Sequence, residues 1–327
     1  MEVSKRAQKK INRRSLPERK ATPQIIKKFD NHRAKLVTEH IFESGHKVPV
    51  YEVDNIYALN QIIGYAKFIN SDYGTVYYRG ECHLHSSLCP SIFHGAGAGY
   101  DKLAQELNSM IAKTLTDNHL RKTFKLEKLK VKTAELIVES TLQHYGIPTR
   151  FVDVVDNHWI ALWFGQNKCQ KIKNQNVYYQ YVSRDMSPVE IMSLSDANHK
   201  ELYQYLLLIA ADTNLVPLAK GIYTGKDVIT IDLRASLPSA FLRPHAQHGL
   251  VLTKNRHDTN DTYDLSSNVV GIVKMRVDHV AKWLGYGELL SAESLFPSPA
   301  FDFGYERLLS RQDIYSGTHF AIANYTR

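Results

Sequence analysis

The sequence predicts an α+β fold, on three observations. Apolar residues recur at helical spacing through much of the first half. Short runs of β-branched and aromatic residues dominate the second half. No regular alternation of strand and crossover helix joins them into a parallel sheet. The expectation is therefore a mostly helical first half and a short-stranded β second half.

The elements follow in order. Residues 1–38 are expected to be a basic, mobile tail, since Pro17 and Pro23 interrupt any long helix there. A single domain is expected over residues 39–327, with no internal repeat or low-complexity linker to divide it. Ile56, Leu59, Ile63, Ala66 and Ile69 fall on one helical face, with Asp54 or Asn55 as N-cap. The run TVYYRG reads as a strand ending in glycine, and CPSIFHGAGAGY as a Gly-rich loop. Leu103 to Leu120 and Leu126 to His144 read as helices, the second closed by Gly146 and Pro148. Asn157 to Phe164 reads as a short apolar helix. Strands are expected at Asn176–Val182, Asp227–Leu233, Gly249–Thr253 and Val269–Val277, with a helix at Lys200–Ala211 between the first two. A helix capped by Asp278 and running through Leu284, and a last helix over Asp302 to Ser310, complete the chain.

Charge is unevenly placed. Residues 1–36 hold twelve Lys and Arg against three acidic residues, net +9, and the remaining 29 basic and 30 acidic residues give −1. The tail can therefore attract nucleic acid or another acidic macromolecule, or serve as a solvated arm. Phe29 is its sole aromatic, so it lacks groups on which bases stack. No apolar run approaches the 18 residues a membrane span needs, so no membrane partner is expected. Three cysteines, Cys82, Cys89 and Cys169, are too few for a disulfide framework and fit a reducing cytoplasm. His83 and His85 near Cys82 lack a second ligand cluster at zinc spacing, so no metal is expected.

Three segments place polar groups inside apolar sequence. They are Tyr78-Arg79-Gly80 at a strand end, LQHYGIPTRFVDVVDNHWIALWFG from Leu142 to Gly165, and FLRPHAQHGLVL from Phe241 to Leu252. With Pro90-Ser91 and Leu295-Phe296-Pro297 they occur in the order of the FRG domain family, named for an aromatic–Arg–Gly motif. The chain resembles that family from about Ile56 to Leu309. The family occurs mainly in bacterial and phage-related proteins. Its pattern is in turn similar to ADP-ribosyltransferases, which implies a split sheet with a cleft and NAD as substrate.

That second resemblance implies roles position by position. Arg79, between Tyr78 and Gly80, would hold the NAD phosphates, with His144 and Arg150 nearby. Thr149, backed by the helix from Ile160 to Phe164, matches a Ser/Thr element. The third position falls on Gln247, an amide where those enzymes have a carboxylate. Breaking the nicotinamide–ribose bond develops positive charge that a carboxylate stabilises and an amide does not. Either Asp153 or Glu81 supplies the acid, or the fold binds without that activity. Each residue also has a structural alternative: an Arg79–Asp153 ion pair, loop pinning by Thr149, Arg150 and Asp153, and a helix C-terminal role for His144.

Overall fold

The computed structural model describes residues 22–27, 29, 33–94, 99–173, 177–184, 190, 201–213, 217–255, 263–317 and 320–325. The expected Gly-rich turn at 95–98 and residues 1–21 of the expected tail lie outside them.

The core of the molecule is a ten-stranded mixed sheet. Its strands are β1 (Ala34–Ile41), β2 (Lys47–Val53), β3 (Thr75–Glu81), β4 (Val152–Val155), β7 (Tyr203–Ala211), β8 (Pro217–Ala219), β9 (Ile222–Thr224), β10 (Val228–Asp232), β11 (Gly249–Lys254) and β12 (Val269–Arg276). Their spatial order is β1-β2-β12-β7-β3-β4-β11-β10-β9-β8. Every join is antiparallel except β2 with β12. A small sheet combines β5 (Asn167–Lys173), β6 (Val177–Ser183) and β13 (Asn324–Tyr325).

The helices are α1 (Ile56–Ile69), α2 (Tyr100–Thr116), α3 (Asn118–Phe124), α4 (Val131–His144), α5 (His158–Gln166), α6 (Leu233–Ser236), α7 (Arg243–Ala246), α8 (Val277–Trp283), α9 (Ala292–Leu295), α10 (Phe303–Ser310) and α11 (Gln312–Tyr315). Strands and helices are thus interleaved along the whole chain, which corrects the expected split into helical and stranded halves. Local signals start several helices. The Asn55 carboxamide caps α1 by accepting from the Ala58 N–H, Asn157 does the same for α5 at Trp159, and Asp302 for α10 at Tyr305. The span 103–120 holds two helices, because Asp117 leaves helical geometry and caps α3.

The largest correction is the segment expected to be a helix up to Ala211. It is β7, paired with β3 on one side and β12 on the other. Leu206, Leu208 and Ala210 enter one core with α1, α5 and α8, while Leu207, Ile209 and Ala211 enter a second on the opposite face. A third core joins α2, α3 and α4 to β9, β10 and β11.

The chain before Glu39 is also engaged. Ala34 begins β1, and Ile26 is fully buried with its N–H donated to the Val270 carbonyl at 2.9 Å. The Gln24 N–H donates to Asn70 Oδ1 at 2.7 Å, and Asn70 Nδ2 donates back to the Gln24 carbonyl at 3.0 Å. No helix among the described residues is long and apolar enough to cross a membrane.

The site is positioned by the middle of the sheet. Strands β3 and β4 pair at one position, Tyr78 with Val155, and separate beyond it. Residues 79–81 therefore continue past β4 and border an opening on that side, while their other edge stays paired with β7.

Candidate functional site

The opening is a cleft of about 320 Å3 built from β3, the end of α4, β4, α5, and segments far along the chain. Strand β3 delivers Tyr78, Arg79 and Gly80. Tyr78 points into the core, 1% exposed, with its ring edge-on to His158 at 5.8 Å. Gly80 lets α5 approach: a Cβ there would stand 1.7 Å from the Ala161 carbonyl oxygen. Arg79 remains 30% exposed at the side chain. Its Nε donates to Glu81 Oε1 at 2.5 Å and its Nη1 to the Asp153 backbone carbonyl at 2.9 Å. Burial works against the charged guanidinium, but Glu81 and Asp153 outweigh it and hold Arg79 above the ordinary arginine range.

Asp153 sits on β4 beside the end of α4. Gln143 Nε2 donates to Asp153 Oδ2 at 2.6 Å, and the Thr149 hydroxyl donates to Gln143 Oε1 at 2.7 Å. The hydroxyl thereby fixes which end of the amide faces the carboxylate. His144 Nδ1 lies 3.7 Å from Asp153 Oδ1, beyond hydrogen-bond length, and that oxygen has no hydrogen-bond partner. Burial raises the Asp153 pKa, but His144, Gln143 and Arg79 together prevail and hold the carboxyl below the usual range. Asp153 is thus an ionised, 40% exposed carboxylate at the cleft. The His144 ring is seated against β11, where a Cβ on Gly249 would come within 2.5 Å of its Cε1.

The opposite wall is aromatic. Tyr181 of β6 stacks on Phe296 at 4.8 Å, Phe296 meets Tyr325 of β13 at 4.5 Å, and Phe164 of α5 meets Phe296 at 6.2 Å. Burial raises the Tyr181 hydroxyl well above its ordinary pKa, so it stays protonated. Glu81, Cys82, His83, His85 and Cys169 complete the rim.

Six of the eight residues singled out from the sequence line this cleft: Tyr78, Arg79, Gly80, His144, Asp153 and Gln247. Up to 169 positions of sequence, from Tyr78 to Gln247, separate them. Gln247 is 5% exposed, and its Nε2 donates to the Leu295 carbonyl at 2.8 Å, so the amide ties the loop after α7 to α9. Thr149 and Arg150 do not line the cleft. Thr149 is fully buried and acts through Gln143. Arg150 forms a two-pronged pair with Glu139, at 2.9 and 2.5 Å. The Arg79–Asp153 contact is to the backbone carbonyl rather than the carboxylate expected of an ion pair. Gln143 and the aromatic wall were not legible as site residues. Gln143 lies within the Leu142–Gly165 segment. The wall comes from four segments, and only Phe164 and Phe296 of its four rings lay within the family's motifs.

Residues 74–174 match the FRG domain. The match runs from the residue before β3 through β5, a narrower span than the Ile56–Leu309 over which the motifs were recognised. It contains Arg79, Gln143, His144 and Asp153 but neither Gln247 nor Phe296. Comparison with curated proteins and with solved structures gives no match.

Proposed function

We propose that the cleft of this FRG-domain protein binds NAD and cleaves its nicotinamide–ribose bond, passing ADP-ribose to water or to an acceptor. One observation carries the reading: the Arg79 guanidinium and the Asp153 carboxylate border the same aromatic-walled cleft. Arg79 suits a pyrophosphate because its planar fork matches two oxygens, although Glu81 must yield part of it. The rings of Phe164, Tyr181 and Phe296 suit a planar base. Asp153 takes the role that Gln247 lacks the charge to fill. Its Oδ1 is buried with no hydrogen-bond partner among the described residues, and His144, Gln143 and Arg79 hold the carboxyl below the usual range, so it stays ionised.

In the reaction the C–N bond to nicotinamide breaks and its electron pair leaves with the ring. Positive charge then develops on the ribose carbon, where Asp153 opposes it. The incoming hydroxyl adds to that carbon and gives its proton to a carboxylate lining the cleft, Asp153 or Glu81. Residues 1–36, net +9, would draw an acidic acceptor such as nucleic acid.

The test is thermal melting of the protein with NAD, together with assay of nicotinamide release. A ligand at 100 times its Kd adds about 2.7 kcal/mol of stability. The expected results are a raised melt and release that Asp153→Asn abolishes while the melt shift persists. No shift at millimolar NAD would overturn the reading. That result leaves a binding module, which the prior engagement of Arg79 by Glu81 favours.

A further inference from the structure

A second cavity, about 360 Å3, shares Tyr181, Phe296 and Tyr325 with the cleft, and Arg243 of α7 contributes to its lining. Arg243 is the largest fully buried side chain, 0% exposed. Four rings surround its guanidinium: Tyr145 and Tyr305 with centroids at 4.4 Å, Tyr325 at 4.7 Å and Phe296 at 5.4 Å. Cation–π attraction to these rings offsets part of its desolvation. Among the described residues its side chain makes one hydrogen bond, from Nη1 to the His144 carbonyl at 3.3 Å. Nε and Nη2 are buried and have no hydrogen-bond partner among those residues.

The neighbouring buried carboxylate does not meet that need. Asp302 Oδ2 accepts from the Arg243 backbone N–H at 2.9 Å and from the Tyr145 hydroxyl at 2.6 Å, and Oδ1 accepts from the Tyr305 N–H at 2.9 Å. Elsewhere the chain shows what an Nε/Nη2 edge does when served. Arg150, Arg234, Arg276 and Arg311 each set that edge against both oxygens of one carboxylate, Glu139, Asp232, Asp278 and Asp313 respectively. Arg243 is more buried than any of them and offers the same edge to nothing. An unpaired buried donor of a charged group costs more than an exposed one.

We infer that this cavity is a binding site for a small aromatic monocarboxylate. The carboxylate takes the Nε/Nη2 edge of Arg243 in the two-pronged geometry the other four arginines display, and the ring packs among Phe296, Tyr305 and Tyr325. The single charge of the guanidinium matches a monoanion better than a dianion such as phosphate. The site is separate from the NAD reading and stands or falls without it.

Benzoate is the probe, with benzamide as its neutral isostere and inorganic phosphate as the dianion, measured on the full chain by calorimetry and thermal melting. Benzoate is expected to bind saturably and raise the melt, and the other two are not. Arg243→Lys keeps the charge but loses the fork, so it should weaken benzoate about tenfold or more. If that variant does not fold, Ala292→Phe fills the cavity from another lining position with Arg243 retained, and should abolish benzoate binding. Asp153→Asn should leave benzoate binding unchanged. Equal binding of benzamide, no response to benzoate, undiminished binding in a folded Ala292→Phe protein, or loss of binding in Asp153→Asn would each overturn the assignment.

Discussion

The carbonyl oxygen of Ala161 occupies the space a Cβ on Gly80 would need, 1.7 Å from the ideal position. Helix α5 therefore lies directly on the backbone of β3, and the cleft beside Arg79 depends on that approach. Because the clashing atom is backbone, no rotamer change relieves it. Gly80→Ala should cost about 3 kcal/mol or more. Gly64→Ala, at an α1 position with nothing within 4 Å of the added methyl, should instead stabilise by about 0.5–1 kcal/mol. Urea midpoints of the two variants check the contrast, and a neutral Gly80→Ala would show that α5 can move.

Arg150 holds the loop before β4 rather than the cleft. Its partner Glu139 is 6% exposed at the side chain, while Arg150 is 24% exposed. Arg150→Met leaves that carboxylate with the Arg150 backbone N–H as its remaining bond from this residue. The expected loss is about 2–3 kcal/mol, below the usual figure for a broken buried pair because of the partial exposure and the surviving bond. Any melt shift produced by NAD should survive. Unchanged stability with a lost NAD response would place Arg150 in the cleft after all.

His158 titrates abnormally low, at about 4, because burial disfavours its charged form and Lys67 repels it. The unfolded chain takes up a proton near pH 6.5 that the folded chain refuses until about pH 4. The contribution of His158 to stability is therefore complete above the unfolded value. It falls as pH drops through that window and is constant below it. His158→Phe keeps a ring against Tyr78 and removes the titration. Its stability should decline less between those two pH values than the parent's, as read from denaturant midpoints at several pH values. Parallel pH curves would show that another group sets the slope.

The described residues between 22 and 33, Ile26 and Phe29 among them, pack as part of the sheet assembly. Deleting residues 1–21 should leave the melt unchanged. Deleting through residue 33 removes Ile26 from its buried place over Gly271, together with the Gln24–Asn70 hydrogen bonds. Burial of one isoleucine and the lost hydrogen bonds together come to about 3 kcal/mol or more. Equal melts for the two truncations would show that this segment is dispensable.

The contrast between α1 and β7 explains what the sequence discloses. Helix α1 buries one face, so its apolar spacing is visible, and Asn55 marks its start. Strand β7 is buried on both faces, so Leu206 to Ala211 show no alternation, and Leu and Ala favour helix when nothing else decides. Its period of two exists only as a division between two cores. The cleft was legible where polar residues interrupt apolar runs, as at Arg79, His144 and Asp153. Thr149 and Arg150 carry the same signal but spend it on Gln143 and Glu139. Arg243 stood in view beside Gln247, yet its isolation among four rings depends on Tyr145, Phe296, Tyr305 and Tyr325, which the chain brings together from afar.

The parallel join of β2 to β12 has a consequence for the order in which the molecule is made. Strand β2 pairs with β1 on one side, but its other neighbour begins at Val269. At 5–20 residues per second, the roughly two hundred residues between them take on the order of ten to forty seconds to emerge. For that interval the edge of β2 that β12 later covers is open to a foreign strand, in addition to the outer edge of β1 that stays open in the finished sheet. Lys47 and Pro49 stand at the entry of that edge, a charge that resists stacking and a residue with no N–H to offer. The nascent hairpin is thus guarded at one end until a strand from the far part of the chain arrives to close it.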